Sequence, residues 1–200
     1  MKISVLAENI NKALGDVSRV VSNKAQLPVL NNVLLVAKKE GLTVVGTDLE
    51  MGMRVAVGAK VVEEGEVGVP ARTLTEFLAT ISKGVVELSS EGGKVKIVAE
   101  KVKAEVAGVE GSEFPVVPEF AGEAQMMVDW KEFAAAIGAV IVAVARDDSR
   151  PILTGVLWEL EEGGKNKRLR LVATDGYRLG MDEVEVVGLK EEGNWAELGG

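Results

Sequence analysis

The sequence contains neither cysteine nor histidine. Without cysteine the chain has no disulfide framework and no thiolate chemistry, which agrees with a reducing cytoplasm. Without histidine it has no His-based catalytic triad, lacks the usual general base near neutral pH, and loses most kinds of zinc site. We therefore expect no metal, no other cofactor and a cytoplasmic location.

Long apolar runs and positive charge are also in short supply. The longest apolar run, Phe133 to Ala145, has 13 residues, whereas a membrane-spanning helix needs roughly 20. Met1–Val5 leads into polar residues, so neither a signal peptide nor a membrane partner is expected. The net charge of −8 argues against indiscriminate nucleic-acid binding, but an acidic protein can still be mildly basic on one inner surface.

Aromatic residues are scarce as well, with three Trp, one Tyr and four Phe among 200 residues. Valine and leucine must therefore fill most of the core. Together with 23 glycines, this composition is typical of many short strands joined by tight turns.

One part of the sequence occurs twice. Leu27–Leu34 (LPVLNNVL) returns as Arg150–Leu157 (RPILTGVL), at an offset of 123 residues. Leu42–Asp48 (LTVVGTD) returns as Leu169–Asp175 (LRLVATD), at an offset of 127. A repeat of this kind constrains the architecture before any local assignment is made. It indicates one full unit followed by part of a second.

The first unit itself is predicted to consist of two copies of a strand, a helix and three strands. Apolar residues at helical spacing predict one helix over residues 7–23 and another that begins at Pro70, where proline is well tolerated. The predicted strands are 1–6, 29–37, 42–47 and 53–57 in the first copy, and 67–69, 85–89, 94–99 and 102–106 in the second.

The domain boundaries follow from this pattern. We expect a complete domain over residues 1–118, a linker over 119–127, and the first half only of a second domain over 128–200. The β-branched segment Val140–Val144 favours a strand in isolation, but the repeat predicts a helix from Trp130 to Arg146. A half unit leaves a sheet edge and a helix stripe uncovered, so we expect the chain to be a fragment or a truncated gene product.

Five short motifs stand in a defined order along the chain. They are Leu27–Leu30 (LPVL), Gly46–Glu50 (GTDLE), Val69–Arg72 (VPAR), Glu113–Pro115 (EFP) and Ala173–Leu179 (ATDGYRL). In order and spacing they resemble the bacterial DNA polymerase III beta subunit family, the beta sliding clamps. The resemblance starts at Met1 and covers the first domain and the first part of the second.

This resemblance implies an α+β protein with the DNA clamp fold, in which repeated β-α-β-β-β units place helices on one face of antiparallel sheets. It implies a non-catalytic DNA polymerase processivity factor, whose full-length form closes as a homodimeric ring around duplex DNA. The implied partners are double-stranded DNA, the DNA polymerase III alpha subunit, the clamp loader, and other DNA polymerases and repair proteins with clamp-binding peptides.

A sliding ring needs only weak phosphate contacts, because enclosure supplies the retention. The candidates for the DNA-facing surface are Lys12, Arg19, Lys24, Arg72, Lys83 and Arg146. Lys24 and Arg72 match positions that the family uses near DNA, while every candidate also fits a solvated helix face. The third helix departs from the family because it is almost uniformly apolar. Either small alanines line that part of the wall, or the face packs on something absent from this chain.

The resemblance also implies a hydrophobic cleft for a short peptide with leucine and aromatic anchors. Its candidate residues are Leu153, Thr174, Gly176, Tyr177, Arg178 and Leu179. The dipeptide Thr174-Asp175 recurs in the first unit as Thr47-Asp48, where no cleft is expected, so we assign it to a structural turn. Gly176–Leu179 differs from the first copy and is assigned to the cleft.

Two other interpretations were compared with this one. An enzyme would draw on carboxylate pairs such as Asp147-Asp148 and Glu161-Glu162, but most such pairs fall in predicted turns, where charge is solvated. Gly163-Gly164-Lys165 joins two strands, whereas a phosphate loop opens a helix. The alternative function is a truncated clamp paralogue, a peptide-binding or regulatory module that does not encircle DNA.

Overall fold

The computed structural model describes residues 1–21, 27–100, 102–117, 126–147, 149–161, 167–191 and 194–197. The chain forms two compact units, residues 1–120 and 121–200. Among the described residues, no helix has the length and apolar character needed to cross a membrane.

The described part of the first unit contains two α-helices and ten strands. The helices are α1 (Ala7–Val17) and α2 (Ala71–Ala79), and a 3₁₀ turn spans Pro28–Asn31. The first five strands are β1 (Lys2–Leu6), β2 (Asn32–Lys38), β3 (Gly41–Thr47), β4 (Gly52–Val57) and β5 (Ala59–Glu63). The other five are β6 (Gly65–Pro70), β7 (Val85–Glu91), β8 (Lys94–Ala99), β9 (Val102–Ala107) and β10 (Val109–Glu110).

These strands form two antiparallel sheets with an internal two-fold pseudosymmetry. One sheet has the order β5-β1-β7-β8-β9 and the other has the order β10-β6-β2-β3-β4. The first strand of each half joins the sheet of the other half, because β1 pairs with β7 just as β6 pairs with β2. Each half therefore depends on its counterpart to cover one edge of its sheet.

The core of the first unit lies between the two helices and the sheets. The helices contribute four large side chains that are fully buried, namely Ile10, Leu14, Leu74 and Leu78. Burying a side chain of this size stabilises the unit by about 1.5–3 kcal/mol. The helices also join directly, because the Asn11 side-chain amide donates to the carbonyl oxygens of Leu78 and Ile81, both at 3.0 Å. Leu78 lies in the last turn of α2 and Ile81 lies two residues beyond the end of the helix, and the Leu78 carbonyl also accepts from the N–H of Ile81 at 2.9 Å.

The sequence prediction omits two strands, β5 and β10. Each follows a single glycine, Gly58 after β4 and Gly108 after β9, at which the chain leaves one sheet and joins the other. A Cβ atom at Gly108 would lie only 3.0 Å from the carbonyl oxygen of Gly68. A side chain at Gly108 would therefore crowd the neighbouring strand, whereas an added Cβ at Gly58 would meet nothing within 4 Å.

Two predicted boundaries in the first unit are wrong. The helix predicted over residues 7–23 ends at Val17, although a turn continues over residues 18–20. The strand predicted over residues 29–37 begins at Asn32, because Pro28 opens a 3₁₀ turn in front of it. Proline fixes its own φ near the helical value and favours such a turn.

The described part of the second unit contains one α-helix and five strands. Helix α3 spans Trp130–Val140, and 3₁₀ turns span Ile141–Ala143 and Pro151–Thr154. The strands are β11 (Met126–Val128), β12 (Leu157–Glu161), β13 (Arg168–Thr174), β14 (Leu179–Glu191) and β15 (Asn194–Glu197).

These strands form one sheet with the order β11-β14-β13-β12, and β15 also pairs with β14. The long strand β14 pairs with β13 through residues 179–185 and with β11 through residues 186–189. It therefore corresponds to β4 and β5 together. Ala136 and Val140 of α3 pack in the buried core with Leu169 and Leu171 of β13.

The prediction of α3 from the repeat is confirmed over most of its length. The β-branched segment that favours a strand in isolation instead completes the helix and a 3₁₀ turn. The helix stops at Val140, six residues before the predicted end at Arg146. It starts at a strong cap, because an Asp129 carboxylate oxygen accepts hydrogen bonds from the backbone N–H groups of Lys131 (2.8 Å) and Glu132 (3.1 Å).

Candidate peptide-binding cleft and helix surface

The loop between β13 and β14 is shaped by two side chains. The Thr174 hydroxyl donates to the carbonyl oxygen of Arg178 at 2.7 Å and accepts from the N–H of Gly176 at 3.1 Å. One Asp175 carboxylate oxygen accepts from the N–H groups of Tyr177 (2.9 Å) and Arg178 (3.0 Å). The other accepts from the Arg178 guanidinium at 2.9 Å. Threonine and aspartate thus hold the loop closed.

The first unit repeats the loop atom for atom. The Thr47 hydroxyl donates to the carbonyl oxygen of Met51 at 2.6 Å and accepts from the N–H of Leu49 at 3.0 Å. An Asp48 carboxylate oxygen accepts from the N–H groups of Glu50 (3.0 Å) and Met51 (2.6 Å). A structural role for the Thr-Asp dipeptide is therefore common to both units.

The backbone conformation at position 176 favours glycine. Its φ is +89°, and Leu49 at the equivalent position has a φ of +78°. Side chains are disfavoured in this left-handed region. The first unit accommodates the strain with a leucine, while the second unit avoids it with a glycine.

The hydrogen bonds of the loop lower the pKa of both aspartates. The N–H of Tyr177 is the largest cause of the lowered pKa of Asp175, followed by the N–H of Arg178. The N–H of Met51 has the same effect on the pKa of Asp48. Both loops are therefore held by ionised carboxylates at neutral pH.

A cleft of about 370 Å³ opens beside this loop. Its lining residues are Ala145, Asp147, Ser149, Arg150, Leu153, Asp175, Gly176 and Tyr177. Leu153 is placed by the 3₁₀ turn, since its N–H donates to the carbonyl of Arg150 and its carbonyl accepts from the N–H of Ala145, both at 2.9 Å. The cleft is thus built by residues 145, 147, 149, 150 and 153 and by the loop 175–177.

The predicted cleft residues divide into two groups. Leu153, Gly176 and Tyr177 line the cleft. Thr174, Arg178 and Leu179 are outside that lining: the first two are engaged in the loop, and Leu179 begins β14. Tyr177 is 99% exposed and Leu179 is 67% exposed. Two large apolar groups therefore stand free on either side of Arg178.

The opposite wall of the cleft is absent from the sequence-based site. It consists of Ala145, Asp147, Ser149 and Arg150. The backbone N–H and the hydroxyl of Ser149 both donate to an Asp147 carboxylate oxygen, and they lower the pKa of Asp147, with the hydroxyl as the larger cause. An Asp-x-Ser pattern just before the repeated Pro151-Ile152-Leu153 segment was the available signal for this turn.

The cations predicted to face DNA are exposed wherever the structure describes them. Lys12 lies on α1, Arg72 on α2, Lys83 just after α2, and Arg146 after the 3₁₀ turn that follows α3. Arg19 is exposed in the turn after α1. Lys24 lies outside the described residues.

The charges on the helix surface of the first unit are mixed. The Arg72 guanidinium bonds the Glu76 carboxylate one turn along α2 at 2.8 Å, with both side chains mostly exposed. This hydrogen bond raises the pKa of Arg72 above its already high value. Such an exposed pair contributes little to stability, but Glu76 offsets the positive charge of Arg72.

Both units are related to one protein family. Residues 1–118 match the family described as "DNA polymerase III beta subunit, N-terminal domain", and residues 127–195 match "DNA polymerase III beta subunit, central domain". The chain belongs to the DNA polymerase III beta subunit family.

Individual beta subunits match along nearly the whole chain. It is 30% identical over 184 residues to the beta sliding clamp of Micrococcus luteus, covering 92% of this chain and 58% of that protein. It is 33% identical over 186 residues to the beta sliding clamp of Pseudomonas aeruginosa, covering 90% of this chain and 49% of that protein. The chain therefore spans about half the length of the beta subunits it matches.

A solved beta subunit structure has the same fold. Caulobacter crescentus pol III beta superposes with a TM-score of 0.86 at 29% identity, covering 93% of this chain and 51% of that chain. This likeness confirms the predicted α+β class and the DNA clamp fold.

Proposed function

We propose that this chain serves in a sliding clamp, a processivity factor that encircles duplex DNA and tethers the replicative polymerase. Its relatives, which bear the name beta sliding clamp, support this role. Because the chain spans about half their length, the ring requires a full-length homodimer. We further propose that residues 1–118 and 128–200 are a complete and a half clamp domain joined by a linker over 119–127. The clamp acts without catalysis, in the cytoplasm.

The observation that carries the proposal is the cleft beside the loop 175–177. Leu153 and Tyr177 present apolar surface to it, and the exposed Leu179 stands near the same loop. Apolar side chains that enter a preformed cleft are a common source of binding energy. Most of the lining is polar or charged, so a short peptide with leucine and aromatic anchors would take its apolar contacts from Leu153, Tyr177 and the neighbouring Leu179. Such peptides would be supplied by the DNA polymerase III alpha subunit, the clamp loader, and other DNA polymerases and repair proteins.

Replacement of Leu153 or Leu179 by alanine tests the cleft. Each substitution is expected to weaken binding of a fluorescein-labelled peptide with leucine and phenylalanine anchors by more than about 1 kcal/mol, roughly fivefold. Fluorescence anisotropy measures the dissociation constant. Met51→Ala is the matched control, because Met51 is 60% exposed on the equivalent loop of the first unit. Unchanged affinity in both leucine variants, or an equal loss in the control, would remove the peptide site.

The mixed charge of the helix surface supports a sliding role over tight DNA binding. Lys12 and Arg72 are exposed on neighbouring helices, but Glu76 pairs with Arg72. Weak phosphate contacts let a ring move, since phosphate affinity rises with each cation that displaces counterions. A full-length ring that carries these residues should remain on circular DNA and leave linear DNA through its ends. Equal retention on both, or on neither, would favour the peptide-binding module that does not encircle DNA.

A further inference from the structure

The exposed side of α1 carries two cations, Lys12 and Arg19. Within the described residues neither of them has an ion-pair partner. Arg19 lies in the turn that continues α1, where its N–H donates to the carbonyl oxygen of Asp16 at 3.3 Å. The two cations are seven residues apart, which is close to two helical turns and about 10 Å along the axis. They therefore point from the same side of the helix.

The neighbouring helix α2 offers a weaker site for a phosphate. The Arg72 guanidinium lies 2.8 Å from the Glu76 carboxylate, and both side chains are mostly exposed. A phosphate that approaches Arg72 also approaches the negative charge of Glu76, so repulsion offsets much of the attraction. Lys12 and Arg19 are therefore better phosphate contacts than Arg72, although the family resemblance favours Arg72.

Helix α1 also carries two carboxylates, Glu8 and Asp16, each four residues from Lys12. In the part of the chain that the structure describes, neither forms an ion pair with Lys12. Lysine and arginine hold their charge at the end of a long stem, so the cationic groups extend farther from the helix than a short aspartate does. A phosphate outside the helix thus meets the cations first, while the balanced charge of α1 keeps the contact weak.

The corresponding side of α3 has no charge. At the offset of 123, Lys12, Gly15, Asp16 and Arg19 correspond to Ala135, Gly138, Ala139 and Val142. The positions are chosen from the first unit, in which both halves are present, and Lys12, Gly15 and Arg19 are exposed there. An added Cβ at Gly15 or at Gly138 would meet nothing within 4 Å. The two helices therefore present the same open side, one charged and the other neutral.

We propose that Lys12 and Arg19 contact phosphates of the enclosed duplex, and that the equivalent side of α3 is a neutral part of the same surface. This inference rests on the proposed function, because a protein that surrounds DNA turns both helices toward it. Each cation neutralises one phosphate and releases its counterion. A separation of about 10 Å corresponds to roughly three nucleotides along one strand, at about 3.4 Å per charge. Few contacts then have to be broken at each step along the DNA.

The salt dependence of DNA binding tests the proposal on the full-length ring. A fluorescein-labelled linear duplex enters the ring through its open centre, and fluorescence anisotropy gives the binding constant at several salt concentrations. Lys12→Ala and Arg19→Ala should each make the slope of log K against log salt shallower by about 0.9, the value for one phosphate contact. Arg72→Ala should change the slope by less than either of them, because Glu76 offsets its charge.

Lys60→Ala is the matched control, because it removes the same charge from the other side of the first unit. Lys60 pairs with Ser4 of β1, whose neighbours Ile3 and Val5 are the residues buried against the helices. Its removal should leave the slope unchanged. Equal slopes for the control and for both α1 variants overturn the proposal.

Ala135→Lys tests the neutral side of α3. Position 135 corresponds to Lys12, so the added cation should make the slope steeper by about 0.9. An unchanged slope contradicts the placement of α3 on the same surface.

This inference and the proposed function fail in different ways. If the ring stays on circular DNA and leaves linear DNA, while Lys12→Ala and Arg19→Ala bind as the control does, the clamp function stands and the phosphate contacts are wrong. If the protein is not retained on circular DNA but both variants have shallower slopes, the ring is wrong and the contacts stand.

Discussion

Replacement of Gly176 by alanine isolates the backbone geometry of the cleft loop. Gly176 has a φ of +89°. An added Cβ would lie 3.6 Å from a nitrogen of the Arg150 guanidinium, which is an ordinary contact. The substitution therefore introduces backbone strain without a clash. Leu49 adopts a φ of +78° at the equivalent position of the first unit, so the loop tolerates a side chain there.

The expected cost is about 1–2 kcal/mol, the penalty for a residue with a Cβ atom in the left-handed region. Gly138→Ala is the matched control, because Gly138 lies inside α3 and an added Cβ would meet nothing within 4 Å. Alanine in a helix interior is favoured over glycine by roughly 0.5–1 kcal/mol. Replacement of glycine by alanine should therefore destabilise the second unit at position 176 and stabilise it at position 138.

Tryptophan fluorescence during urea unfolding measures this difference. Trp130, Trp158 and Trp195 are the only tryptophans in the sequence, and all three lie within residues 121–200. The signal therefore reports unfolding of the second unit alone. If Gly176→Ala is neutral or stabilising while Gly138→Ala stabilises, the strain argument for the loop is wrong.

Two further predictions use the same signal. Because the folded-state pKa of Asp175 is lowered from its ordinary 3.8, its contribution is present above pH 3.8 and is lost as the pH falls through the lower folded value. Asp175→Asn should therefore flatten the acid dependence of second-unit stability, whereas Asp48→Asn should leave it unchanged; an equal effect of both would contradict the assignment. Asp129→Ala should lower the free energy of unfolding by about 1 kcal/mol, because it removes the cap that bonds Lys131 and Glu132. A neutral Asp129→Ala would show that the cap is dispensable.

Much of the fold could be predicted from the sequence because local patterns report burial. The apolar stripe of α1 follows from a buried helix face, and the alternation in β9 follows from one half-buried face and one exposed face. The repeat predicted that α3 is a helix, although its β-branched residues favour a strand in isolation. It succeeded because the same core position recurs, as at Val17 and Val140, which are both fully buried.

The cleft could be predicted only in part. Leu153 lies in the repeated segment Arg150–Leu157, and Gly176 and Tyr177 lie in the motif Ala173–Leu179, so the sequence alone indicates all three. The wall formed by residues 145–150 has no periodicity, and a 3₁₀ turn and an Asp-Ser hydrogen bond bring it to the loop. Contacts of this kind join segments that are about 25 residues apart, and no local pattern encodes them.

The repeat, the helices and the absence of thiol and imidazole chemistry could be read from residue type and spacing alone. Only the folded chain shows where β5 and β10 cross between sheets and which residues face the cleft. Those features depend on hydrogen bonds between distant strands and on the space around single glycines such as Gly108. Backbone pairing is nearly independent of side-chain identity, so the order of strands in a sheet becomes visible only when the chain is folded.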